Sequence, residues 1–401
     1  MVRPLLLLAS FILPAAALAP APEVIRFRDP VTGRGITWYK SPHHEVHNYY
    51  DISPWSPAGD RILFFRFDAG VGDLKALGTY PGSLWMMEAN GSRPVQLVSG
   101  LKGNYHTGVS QFWGPGGKTA YFTGRDGARQ TGVVDIETRR ISSIVTPAPA
   151  SRMTSDGRYL SIANPNEWGL FDISAGKAEM LVTRERALAL TPHKELVKGP
   201  GSALQNARFS PTSDKALIVH RTNEDFPRLV ELFVYDFASH QLSHLAAGLH
   251  HPGWRPDGKA ILFVHRDPHE NFQSIREVEV RTGRVRVLSR DHVPAGHPSY
   301  HPRHPHWILT DCYGGPMGYG LALIDTRTGR MSQLVTIPSG SKPVPPGDER
   351  FPFRNWGLWM PVRPYLNEPR PVWNADGSKV LFTSQESGRI NLYTVDTSDL
   401  E

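Results

Sequence analysis

The chain has one cysteine, Cys312, among 401 residues, so no disulfide forms within it and a large core must supply its stability. Beyond residue 19 no apolar run is long enough to cross a bilayer as a helix, and no membrane insertion of the mature chain is expected. No long segment repeats its apolar residues at helical spacing, which sets aside helical bundles and α/β layers. The formal charge of +6 is spread along the chain without a basic block, so a nucleic-acid arm is not expected; dispersed positive charge suits an acidic polysaccharide better. No G-x-S-x-G elbow is present, which removes the hydrolase type of serine nucleophile.

What the chain has in quantity is turns, with Gly 37 and Pro 35, and this favours an all-β fold. Residues 1–19 read as a secretory signal peptide: Arg3, the apolar LLLLASFIL, then small residues up to Ala17-Leu18-Ala19. Export to the periplasm or the exterior is the expectation, with residues 20–401 as a single domain. The sequence does not set an oligomeric state.

One hairpin organises the rest. In LHHPGWRPDGKAILFVHRD (Leu249–Asp267) a short strand ends at Trp254, Pro256-Asp257-Gly258 makes the turn, and AILFV forms an apolar second strand. The pattern recurs seven times, aligned on a bulky residue before each turn: Trp55, Trp113, Met153, Phe209, Trp254, Tyr300 and Trp373. Strand-turn-strand segments such as ELFVYDFASHQLSHL separate the copies. After the seventh only NLYTVDT remains, and the matching piece stands at the other end of the chain, Val24–Lys40. The expectation is a seven-bladed β-propeller in which an N-terminal outer strand closes the last blade, leaving no open sheet edge. Two insertions, Phe67–Gly82 and Thr336–Arg370, lengthen loops of the kind that lie over binding faces; the second carries Arg350, Arg354, Trp356, Trp359, Arg363 and Tyr365.

In such a ring the start of each first strand lies beside the end of the second, at one mouth of the channel. Three residues before the bulky markers stand Asn206, His251, His297 and Arg370 in the fourth to seventh copies; eleven residues after them stand Arg66 in the first, then His220, His265 and Asp311 in the fourth to sixth. Imidazoles with a carboxylate are the set for proton abstraction near neutral pH and equally the set for a divalent metal. His43, His44, His47, Tyr49, Tyr50 and Asn104-Tyr105-His106 lie on the approaches, and His301, His304 and His306 replace turn residues in the sixth copy. Asp311 is followed by Cys312, a small residue expected in the core.

The WSPDG-like hairpins resemble TolB-type, WD40-like propeller repeats over nearly the whole mature chain. More narrowly, HHPGWRPDGKAILFVHRD, GHPSYHPRHPHWILTDCY and HNYYDISPWSPAGDRILFF resemble blades of the oligogalacturonate lyases and, more loosely, the ulvan lyases. That resemblance implies β-elimination on a uronate-containing glycan, with a histidine base, an arginine on the uronate carboxylate and manganese held by histidines and a glutamine. His251 and His297 match the histidine-proline blade starts, whereas the glutamine and paired histidines have no counterpart between Met360 and Tyr365. The expected catalytic set is His251 or His265 as base with His220 assisting. Arg66, His106, Asn206, Arg221, Arg370 and Trp356 are expected to bind an acidic oligo- or polysaccharide. One divalent ion (Mn, Ca or Zn) on His297, His251 and Asp311 is the cofactor expectation, with no organic cofactor. The alternative is a non-catalytic TolB-like binding propeller, with histidines scattered over the channel.

Overall fold

The computed structural model describes residues 22–72, 74, 78–123, 129–194, 202–205, 207–221, 230–247, 249–266, 273–289, 296–313, 319–336, 368–385 and 387–400. These form seven antiparallel sheets, one for each hairpin copy, numbered here as blades 1 to 7. Blade 5 shows the plan: Leu249–Trp254 innermost, then Ala260–Arg266, Gln273–Glu279 and Val285–Val287. One short helix, Arg184–Leu190, joins blades 3 and 4; the side chain of its N-cap, Thr183, accepts from the Arg186 amide.

Blade 7 is built from both ends of the chain. The strand Asn391–Asp396 pairs with Gly35–Lys40, in register from Ile36↔Val395 to Tyr39↔Leu392, and Glu23–Arg28 adds a fifth strand outside it. The N-terminal segment thus contributes both arms of a hairpin, one more strand than the outermost one expected. Arg34 reaches across this seam to Asp399 at 2.6 Å.

The tight turns follow from their side chains. The residue after the bulky marker accepts the amide five positions on: Ser56 from Arg61, Thr154 from Tyr159 and Ser210 from Lys215 at 3.1 Å, and Asn374 from Lys379 at 3.0 Å. Gly258 supplies the positive φ of +69° that this turn demands; blade 4 places Ser213 there at +57°. In blade 6 the buried His301 replaces the hydroxyl or amide, its Nδ1 accepting from the Arg303 and His304 amides at 3.1 and 2.9 Å.

The markers hold one blade to the next. Trp113 Nε1 donates to Pro54 O at 2.8 Å, Trp254 Nε1 to Arg208 O at 2.9 Å and Trp55 Nε1 to Val372 O at 3.4 Å. Each acceptor is the residue just before the marker of the preceding blade. Each indole therefore fixes how far one inner strand slides along its neighbour, while its ring fills the space between sheets. Trp373 is an exception: its Nε1 is buried without a partner, and His301 packs edge-on at 4.7 Å.

Trp254→Phe keeps most of the ring volume and removes the bond to Arg208. It should cost about 1 kcal/mol, read as a lower urea midpoint with an unchanged far-ultraviolet circular dichroism spectrum.

Candidate active site at the channel mouth

Three tryptophan markers are preceded, three positions upstream, by a residue in the left-handed region: Ser110 (φ 53°), His251 (φ 49°) and Arg370 (φ 46°). A non-glycine residue there costs roughly 1–2 kcal/mol and persists only where the surroundings enforce it. In blade 5 it coincides with a register shift between His250 and Gly253, a bulge that re-aims His251.

His251 meets a tyrosine from blade 1, in the segment between its innermost strand Glu45–Val46 and its second strand Arg61–Phe67. That segment is pinned by Asn48 Nδ2, which donates to Gln111 O at 2.6 Å, and by the Tyr50 hydroxyl, which donates to Pro252 O at 3.1 Å. The Tyr49 hydroxyl then lies 3.1 Å from His251 Nε2 and 3.0 Å from His297 Nε2. The imidazoles of His251 and His297 have centroids 4.3 Å apart. His297 Nδ1 is 2.9 Å from Asp311 Oδ2, and the His297 amide donates to Asp311 Oδ1 at 2.6 Å. His251 Nδ1 is 2.5 Å from the Gly296 carbonyl oxygen. A side chain at Gly296 would place its Cβ 2.1 Å from Thr310 Oγ1, so only glycine lets this carbonyl approach.

A carbonyl only accepts, so His251 Nδ1 carries a proton. The Tyr49 hydroxyl stands between the Nε2 atoms of the two imidazoles, and His297 Nδ1 faces a carboxylate that also accepts the Arg370 amide at 3.0 Å. The contacts run as one chain, Asp311, His297, Tyr49, His251. Its inner members are buried at 0% and 2% side-chain exposure, whereas Tyr49 and His251 are partly open. Burial and the nearby Glu368 hold the Tyr49 phenol well above its usual range, so it enters any reaction protonated.

Close to Tyr49 and Tyr50 lies a charged triad. Arg152 Nη2 and Arg208 Nε both reach Asp51 Oδ2, at 2.6 and 2.5 Å, and all three side chains are under 20% exposed. Burial alone would raise Asp51, but the two guanidinium groups outweigh it and hold the carboxyl below its ordinary value. Arg208 is raised despite burial, because Asp51 and the tyrosines favour its charge. Two cations on one carboxylate leave a net positive charge inside the ring.

Arg370 is fully buried. Its guanidinium lies 4.7 Å over the Tyr105 ring, Nη1 donates to His106 O and Nε to Glu368 O at 3.2 Å, while Nη2 is buried without a partner. These contacts brace the mouth. His106 Nδ1 is 3.1 Å from Glu368 Oε2. His47 is buried with both ring nitrogens unpartnered; burial, with Arg370 adding to it, pushes its pKa down to about 3.

The other expected residues do not join this group as a set. His220 sits in the second strand of blade 4 opposite Glu231; burial lowers its pKa against the pull of that carboxylate. Arg221 ends the same strand, between Ala203 and Val230. His265 stands one strand out from the bulge, between Leu249 and Ser274. Arg66 pairs with Glu45 at 2.7 Å over the Trp85 ring, in a separate cavity. Asn206 and Trp356 lie outside the described residues. Cys312 is fully buried, and burial raises its thiol.

The expected metal set does not fit. Among the described residues no three His, Cys, Asp or Glu side chains converge as ligands. Of the proposed donors, His297 Nδ1 and Asp311 face each other, His251 Nδ1 faces a carbonyl, and both Nε2 atoms face Tyr49.

No family model and no curated protein matches the sequence. Solved structures do. An oligogalacturonate lyase in complex with manganese covers 94% of this chain and 96% of its own at 17% identity, TM-score 0.69. The oligogalacturonate lyase from Vibrio parahaemolyticus covers 94% and 97% at 16% identity, TM-score 0.70. The fold is shared with these lyases. At such identities nothing beyond the fold is shown, and TolB from Acinetobacter baumannii, at 16% identity over 68% of this chain and 62% of its own with a TM-score of 0.42, is too distant to carry an argument.

A histidine whose folded pKa is depressed binds fewer protons than in the unfolded chain, so its burial contributes stability above the unfolded pKa and loses it on acidification. For His47 the loss runs from pH 6.5 down to about 3. Melting temperatures across that window should fall less steeply in His47→Gln than in the parent.

Proposed function

We propose that the chain is a polysaccharide lyase that cleaves a uronate-containing acidic glycan by β-elimination at this mouth. The observation that carries the reading is the Tyr49 hydroxyl held between the Nε2 atoms of His251 and His297 close to a net-positive triad. Elimination needs three things at once: a base for the proton on C5 of the uronate, a proton for the departing glycosidic oxygen on C4, and positive charge near the carboxylate to stabilise the enolate-like transition state.

Each has a candidate here. His251 is partly open and holds a proton on Nδ1; its Nε2 takes the C5 proton, as the C4–C5 double bond forms, once the Tyr49 hydroxyl has turned from it to the departing oxygen. Tyr49, held protonated by burial, delivers its proton to the oxygen as the C4–O bond breaks. The proton gained by His251 Nε2 returns to the Tyr49 oxygen 3.1 Å away, while His297 Nε2, its ring held by Asp311, steadies that oxygen at 3.0 Å. Arg152 and Arg208, neither of which the sequence brought forward, supply the positive field. The fold shared with oligogalacturonate lyases supports this class of chemistry, and the leader at residues 1–19 supports an exported enzyme acting on an extracellular or periplasmic glycan.

Purified mature protein, offered a panel of pectic, ulvan, alginate and glycosaminoglycan substrates with and without chelator, should give rising ultraviolet absorbance from the unsaturated product on at least one. On that substrate Tyr49→Phe should lower kcat by about 10²-fold or more with KM changed far less, and His251→Ala should remove the signal. Turnover unchanged in both variants would dismiss the relay, and no signal on any uronate polymer would leave a binding propeller.

A further inference from the structure

A second cavity, of about 750 Å³, lies between blade 7 and blade 1. It opens at the same end of the ring as the relay: Lys40 closes the strand that meets the start of Asn391–Asp396, and Arg66 ends the strand that meets the start of Glu45–Val46. It is separate from the channel cluster; none of Tyr49, His251, His297 or Arg208 lines it.

Its wall is built for a particular chemistry. The Arg66 guanidinium is fixed 4.1 Å over the Trp85 ring, with Nε and Nη2 both 2.7 Å from Glu45 Oε1, and Glu45 is 1% exposed. Arg389 is held by Val71 O at 3.1 Å and has no carboxylate partner among the described residues. Lys40 adds a third cation, paired only at the surface with Glu23 at 2.8 Å. Between the cations stand Ser83 and Gln96, the amide donating to the hydroxyl at 2.9 Å, and the carboxylate of Asp68.

The volume falls in the range of small-molecule sites. A simple polyanion would be repelled by Asp68. A sugar acid suits both sides of the wall, offering its carboxylate to Arg389 and its hydroxyl protons to Asp68.

We propose that this cavity is a second, non-catalytic site for a carboxylated sugar of one or two residues, recognised by Arg389 and Arg66. It extends beyond the channel chemistry and does not depend on it, because the test reads binding and not elimination.

Isothermal titration of the full mature chain with D-glucuronate and D-galacturonate should show saturable binding, at least tenfold weaker for glucose and for inorganic phosphate. His251→Ala should bind the uronate as the parent does. Arg389→Gln and Gln96→Glu, the second placing a negative charge on the wall with little change of shape, should each weaken it at least tenfold at an unchanged melting temperature. Should Arg389→Gln fail to fold, Gln96→Glu alone decides. The proposal is overturned if neither uronate binds, if glucose or phosphate binds equally well, if Gln96→Glu binds like the parent, or if His251→Ala abolishes binding.

Discussion

The constraint on which this ring depends is the position of each inner strand along its neighbour. Sheets in a propeller touch face to face, and nothing in apolar packing alone stops one blade from sliding a residue past the next. The indole bonds from Trp113, Trp254 and Trp55 to the carbonyl before the preceding marker supply directional stops. Because strand starts are set this way, the residue three positions upstream of a marker arrives at the mouth at a defined height. His251 owes its place to it, and its left-handed backbone accompanies the bulge between His250 and Gly253.

The sequence made the architecture plain because a propeller repeats its own instructions. A bulky residue, a polar turn and an apolar second strand, copied along the chain, leave few alternatives, and the lone NLYTVDT strand pointed to an N-terminal partner. The candidate site was legible only in part. His251, His297, Asp311 and Arg370 could be placed by counting from the markers, but counting assumes an even strand. The bulge breaks that assumption between His250 and Gly253, and His220, at the end of the second strand of blade 4, is buried opposite Glu231.

Tyr49 was noted as an approach residue and turned out to be the link between two histidines. No local pattern announces this, since it follows the innermost strand of blade 1 and reaches blades 5 and 6. Arg152 and Arg208 were also passed over. Each directly precedes its marker, Met153 or Phe209, and that shared position was the available signal. Their meaning depends on Asp51, a hundred residues or more away, and such pairing is invisible without the ring.

Blade 7 draws its strands from both ends of the chain, with Tyr39 facing Leu392 across the seam. Without that pairing the ring would be an open C with a bare strand edge at its lips, so this one seam circularises the molecule. The cavity between blades 7 and 1 depends on the same closure, since one wall stands on each side of the gap.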